Sequence, residues 1–244
     1  MGRTVCEAFA GDPELHLVSA VDVHDAGAIT AGGVTISSEL DVLVGDGVQV
    51  AIDFTVAPAA RHTLPWLAAH GIHAVAGTTG FDDHDIDEFR AAFTSSNCLI
   101  AANFAIGAVL MMRFAELAAP FFETAEVIEL HHDAKRDAPS GTAMATMARM
   151  AAASDRWAPD PTESEVVACA RGGKGPGGIA VHAVRLRGLV AHQEVLLGTT
   201  GQTLTIRHDS YDRSSFMPGV LLATKRVGAL DDHLTLGIDS LLGV

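Results

Sequence analysis

The chain has 244 residues, 48% hydrophobic and 19% charged, with a formal net charge of −14. That length can bury a sizeable core in one compact or two small domains, and the composition is that of an ordered globular protein. The acidic balance argues against nucleic acid or an anionic membrane surface as partner, while a small anionic ligand in a local basic pocket stays open.

No charged stretch followed by an apolar one opens the sequence, and no apolar run is long enough to span a bilayer, so a cytoplasmic location is expected. Cys6, Cys98 and Cys169 are scattered without CxxC spacing and imply no disulfide framework. Cys6 and Cys98 lie in apolar periodic stretches, where a thiol is read as a small buried hydrophobe.

In chain order, MGRTVCEAFAG reads as a helix entered from a glycine. LHLVSAVD (15–22) and VQVAIDFT (48–55) read as strands, the second nearly all apolar, as in a sheet covered on both faces. A helix is predicted from Ala57 to His70 with Gly71 as its stop. IHAVAGTTG gives a strand and a turn, and DDHDIDEFRAAF a helix with acids in its first turn. Asp82, Asp83, Asp85, Asp87 and Glu88 are read as solvated surface. CLIAAN is a further strand and AIGAVLMMRFAELAAPFF a long amphipathic helix. This alternation predicts an α/β protein with a parallel, doubly wound, Rossmann-like sheet.

After Thr142 the pattern changes. MATMARMAAAS continues a helix, WAPDPTESE is a loop, and RGGKGPGG reads as flexible or ligand-facing. Residues 179–210 alternate as strands around a hairpin turn at TTGQ, giving a mixed or open sheet in a second, α+β domain. FMPGVLLATKRVGAL is helical and returns to the first domain. The expected division is 1–103, 104–215 and 216–244.

Ligands of parallel sheets gather at the carboxyl ends of strands, and three such ends carry candidate residues. Asp22 closes the first strand at the distance from Gly2 where an acid meets an adenine ribose; alone it could be an exposed turn aspartate. GTTG, with Gly77, Thr78 and Thr79, admits close backbone approach or is simply a tight turn. In AANF (Ala101, Ala102, Asn103, Phe104) the asparagine could orient an amide or brace its own turn.

ELHHDAKRDAPSGTA (129–143) concentrates the most chemistry. His131 and His132 sit at a strand end facing opposite ways, so their roles differ. A histidine can be a general acid near neutrality, and Lys135 can hold a carboxylate or give a proton. Ser140, Gly141 and Thr142 stand at a helix start, whose amides suit an anion, although either hydroxyl could be only a cap. The His-His pair lacks the cysteine or HExxH context of a metal site, so no metal is expected.

This loop resembles the signature of the bacterial 4-hydroxy-tetrahydrodipicolinate reductase (dihydrodipicolinate reductase) family of lysine and diaminopimelate biosynthesis. The resemblance extends to IDFT (52–55), AGTTGF (76–81), AANFAIGAVL (101–110), VHAVRLRGLVAHQEVLLG (181–198) and RHDSYDRSSF (207–216). It implies an NAD(P)H-dependent oxidoreductase acting on a small dicarboxylate. It also implies a dinucleotide-binding domain, a substrate and oligomerisation domain, and a homotetramer. His131 then matches the proton donor and Lys135 a second catalytic group. His132, Gly141 and Thr142 match substrate contacts, with Ser140 beside them in the anion cradle. Asp22 matches the ribose acid, with Gly2 as the last glycine of the loop; Gly77 to Thr79 and Ala101 to Phe104 match the nicotinamide half. NADH is favoured over NADPH, because Val23 and His24, not a cation, follow Asp22.

The chain begins at the end of that glycine motif, so about ten residues of strand and turn are expected upstream of it. A chain extended upstream is expected to bind NADH more tightly and to melt higher. Two other readings remain at this point: a different oxidoreductase of this architecture, and a non-catalytic dinucleotide sensor.

Overall fold

The computed structural model describes residues 1–243. It divides into two units, Met1–Ala105 with the segment from Arg213 onward, and Ile106–Asp212.

The first unit opens with α1 (Gly2–Ala10), then β1 (Ala20–Val21), β2 (Ile36–Ser37) and a short α2 (Val42–Gly45). β3 (Val50–Asp53), α3 (Ala57–Ala69), β4 (His73–Ala76), α4 (Asp83–Ala92) and β5 (Cys98–Ile100) follow in strict alternation. The strand expected over 15–22 is real only at Ala20–Val21, and it pairs in parallel with β2 in a two-stranded sheet of its own. Residues 15–19 carry the alternation but have no strand beside them to complete a ladder.

Small local signals set the elements around the main sheet. Proline in the first turn of α3 needs no N–H there, and Gly71, at φ +68°, ends the helix region. α4 starts with a capping box: Asp82 accepts from the Asp85 amide and Asp85 from the Asp82 amide. Asp85 is therefore not the solvated acid that the run of aspartates suggested. It is 4% exposed and takes a bidentate pair from Arg61 of α3 at 2.7 and 2.8 Å.

Leu64 and Leu67 of α3, Phe89 and Phe93 at α4, and Ala74, Ala76 and Cys98 of the strands form one buried cluster. Each large side chain buried there contributes roughly 1.5–3 kcal/mol over its exposed state. Cys98 is buried as read from the sequence, whereas Cys6 is half-buried; all three cysteines are free thiols.

The segment from Arg213 onward supplies α7 (Met217–Arg226), β11 (Leu234–Leu236) and α8 (Asp239–Leu242) to this unit; its elements are numbered after those of the second unit below. β11 is too short to announce itself in the sequence, yet it pairs in parallel with β5 and completes the parallel order β11-β5-β4-β3. Buried Asn97 ties this return down, donating to the carbonyls of Val227 and Leu230 and meeting the His233 ring. Lys225 of α7 pairs with Asp12 and Glu14, just past α1.

The second unit contains α5 (Ile106–Ala118), β6 (Thr124–His131), α6 (Gly141–Ala153), β7 (Gly173–Lys174), β8 (Ala180–Arg185), β9 (Ala191–Thr199) and β10 (Gln202–Ser210). Its sheet runs β10-β9-β6-β8-β7 and is mixed: β6 lies parallel to β8 and antiparallel to β9. Gly201, at φ +79°, turns the β9–β10 hairpin where TTGQ placed it. RGGKGPGG is partly ordered as the edge strand β7, because its Gly173 and Lys174 find ladder partners in β8.

Candidate active site

β6 is the central strand of its sheet, and side chains two apart share one face of it. Val127, Glu129 and His131 share such a face; the first two are fully buried and His131, at the strand end, is partly exposed. His131 Nδ1 meets Glu129 Oε2 at 2.5 Å. Arg185 stands opposite His131 in the parallel register of β8 and reaches both Glu129 oxygens at 2.8 Å. The Ser140 amide donates to Glu129 Oε1 at 3.2 Å, which fastens the start of α6 to the same carboxylate.

The electrostatics follow from these contacts. Burial by itself would raise the Glu129 carboxyl, but hydrogen bonds and charge from Arg185 and His131 outweigh it and hold the group below the usual carboxylate range. For His131 burial dominates and lowers the imidazole below its ordinary value. Glu129 pulls it partly back, while the charges of Lys135 and Arg185 push it down.

His132, next in sequence, is exposed. Lys135 Nζ is held by Asp137 at 2.7–2.8 Å, and it depresses that carboxyl in turn. Ser140 caps α6, its hydroxyl accepting from the Ala143 amide at 3.2 Å. Open space lies where a Gly141 side chain would stand. Among the described residues no group of three or more His, Cys, Asp or Glu could hold a metal ion.

In the first unit, β3, β4 and β5 run parallel and release their loops at the same, carboxyl end of the sheet. A Cβ at Gly77 would lie 2.0 Å from the Phe54 ring, so only glycine lets these two loops approach. Asp53, 5% exposed, accepts from the Thr78 and Thr55 hydroxyls, both at 2.7 Å, and from the Thr55 amide. The Thr78 side chain is thus spent inside the protein, whereas Thr79 and Gly80 are exposed. Asn103 Oδ1 accepts from the Ala105 amide at 2.9 Å and braces its own turn. Phe104 is buried against Phe54, with ring centroids 5.7 Å apart.

Models of the dihydrodipicolinate reductase amino- and carboxyl-terminal domains match residues 1–104 and 107–242. The chain belongs to the dihydrodipicolinate reductase family. It is 50% identical over 249 residues to the 4-hydroxy-tetrahydrodipicolinate reductase of Nocardia farcinica, covering 99% of this chain and 94% of that one. Identity to the Thermobifida fusca protein of the same name is 54% over 203 residues, covering 80% and 82%. Among solved structures, the dipicolinate-bound dihydrodipicolinate reductase from Paenisporosarcina sp. TG-14 superposes with a TM-score of 0.88 at 35% identity. It covers 98% of this chain and 94% of that one.

In this chain the expected substrate residues are gathered on one strand end and the loop and helix start that follow it. The expected cofactor residues are less unified. Gly77–Thr79 and Ala101–Phe104 share the carboxyl end of one sheet, whereas Asp22 follows β1 and Gly2 begins α1. Asp22 is exposed and accepts the His24 amide at 2.8 Å and the Asp25 amide at 3.3 Å, which lower its carboxyl. The donor set fits a dinucleotide: an exposed acid for a ribose, and turns at β4 and β5 with small residues and a glycine packed against a ring. Glu129, Arg185, Asp53 and Asp137 were not singled out from the sequence. All four lie inside the motifs that carry the resemblance, and Glu129 also shares strand alternation with His131.

A cavity of about 1030 Å³ lies elsewhere in the second unit, lined by Glu126, Trp157, Arg171 and Leu196 among others. His131, Lys135 and Thr142 are not part of it.

Proposed function

We propose that the chain reduces 4-hydroxy-tetrahydrodipicolinate to tetrahydrodipicolinate with a nicotinamide cofactor, in lysine and diaminopimelate biosynthesis. The reaction takes up one hydride and one proton and loses one water. The observation that carries the reading is the grouping of a carboxylate-held imidazole, a lysine and a helix start at the end of β6.

The cofactor supplies the hydride when bound. Asp22 would hold its adenine ribose, and Gly77 to Thr79 with Ala101 to Phe104 its nicotinamide half. Gly2, at the start of α1, would stand by the phosphates. An acidic group at Asp22 with no cation after it favours the free 2′-hydroxyl of NADH over a 2′-phosphate.

The protein's own groups handle the substrate and the proton. The helix start at Gly141 and Thr142 binds one substrate carboxylate. The Ser140 amide serves indirectly, since Glu129 already takes it. The other carboxylate replaces Asp137 on Lys135, and exposed His132 adds a further contact. Loss of the 4-hydroxyl as water leaves a C=C conjugated with the C=N; hydride addition to the far carbon of that system then gives an enamine, and His131 protonates its carbon. In the free protein burial biases this imidazole toward neutrality, and an arriving dianion favours the imidazolium.

The resemblance further supports a homotetramer and a cytoplasmic location. No described helix is long and apolar enough to cross a membrane. Steady-state NADH oxidation with freshly made product of dihydrodipicolinate synthase tests the reading. Turnover dependent on that product is expected, and dinucleotide binding without turnover would overturn it in favour of a sensor.

A further inference from the structure

A fully buried carboxylate is costly unless every oxygen is satisfied, and replacing a buried ion pair by apolar residues is often neutral or stabilising. Stability is therefore a weak reason for Glu129 to exist. Its bonds point elsewhere: the His131 ring at 2.5 Å, both terminal nitrogens of Arg185, and the amide that opens α6. Arg185 also donates to the Asp137 carbonyl at 2.6 Å, in the loop that carries Lys135. One buried carboxylate and its arginine thus touch each of the three elements to which the proposed function assigns chemistry.

We infer that Glu129 and Arg185 are positioning residues for His131. Glu129 holds Nδ1, which leaves Nε2 as the nitrogen that gives up the proton, and Arg185 fixes Glu129 to the loop and the helix start. This inference rests on His131 being the acid. The charged groups facing His131 are Glu129 of β6, Arg185 of β8 and Lys135 of the loop. Its antiparallel partner on β9 is Ala191, which carries no charge. Of the charges, Glu129 raises the imidazole and outranks Lys135 and Arg185, which lower it. Neutralising Glu129 should therefore make the imidazolium harder to form.

The test is Glu129→Gln, read in two independent ways: the NMR titration of the His131 ring without substrate, and the pH dependence of kcat and KM. The His131 titration should move down by about one pH unit or more. The pH above which activity declines should move with it. The kcat should fall about 10- to 100-fold, the usual effect of losing an orienting partner, with KM changing less. Because Glu129→Gln strands a half-buried arginine, the double variant Glu129→Gln/Arg185→Met is made as well; it keeps the site neutral, and the same direction of shift is expected. A His131 titration unchanged in the folded variant overturns the inference whatever the activity does. A shifted titration with an unchanged pH–rate profile overturns the catalytic half: Glu129 then governs the ring, but His131 is not the acid.

Discussion

A general acid works only while it carries its proton, and burial biases His131 against carrying it. Replacing it with glutamine removes the proton but keeps a polar side chain of similar reach. Turnover should fall about 10²–10⁴-fold, with NADH affinity, followed by fluorescence, nearly unchanged; wild-type turnover would dismiss His131 as the acid. Asp22 makes a separate claim, because its carboxylate is exposed and held in the charged form by two amides. The ratio of kcat/KM values should favour NADH, and a clear preference for NADPH would contradict that role. Much of this grouping was legible, since histidine, lysine and a helix start fall within fifteen residues of sequence. Arg185 was not, because it lies 56 positions from the carboxylate it holds and only the parallel β6–β8 register brings them together. At Ser140 and Asn103 the modest sequence alternatives, a cap and a braced turn, are both present in the structure.

Elements are joined by contacts that composition hides. The run of acids around residue 85 looked like solvent-facing charge, yet Asp85 locks α4 to α3 through Arg61, 24 positions earlier. That partner and the capping amide hold the Asp85 carboxyl down to about 2 from the model-peptide 3.8. A depressed carboxyl stabilises the fold in full above its unfolded value, and the contribution is lost as pH falls from there through the folded value. Melting temperature should therefore drop between about pH 4 and pH 2. In Arg61→Gln the folded value rises toward the unfolded one, so this part of the acid decline should shrink and be complete at higher pH; superimposable melting profiles would show that the pair contributes nothing. The strands were easier to read where both faces are buried, as in β4 and β5, than at β1, whose pattern outruns its ladder. β11 offered three residues and no periodicity; its place is fixed by β5, far away in sequence.

At the scale of the whole molecule, the sheet of the second unit has two unlike faces. Gln193 of β9 bonds Thr146 of α6, and His208 of β10 lies against Gly107 of α5, so the helices cover that side. By strand alternation Ile128, Leu196, Glu194, Thr205 and Arg207 belong to the other. If that face carries the proposed tetramer contact, Leu196→Glu should lower the mass measured by sedimentation or light scattering at equal concentration. An unchanged tetramer would place the contact elsewhere. The course of the chain has its own consequence during synthesis. β5 is made early, but β11, the strand beside it, and His233, which meets the Asn97 side chain across 136 positions, come near the end. The second unit is one uninterrupted stretch and can close as soon as it clears the ribosome. For that interval the first-made unit waits with an open strand edge, the kind of surface that recruits wrong partners. The usual order of assembly on the ribosome is thus inverted, with the later stretch finished before the earlier one.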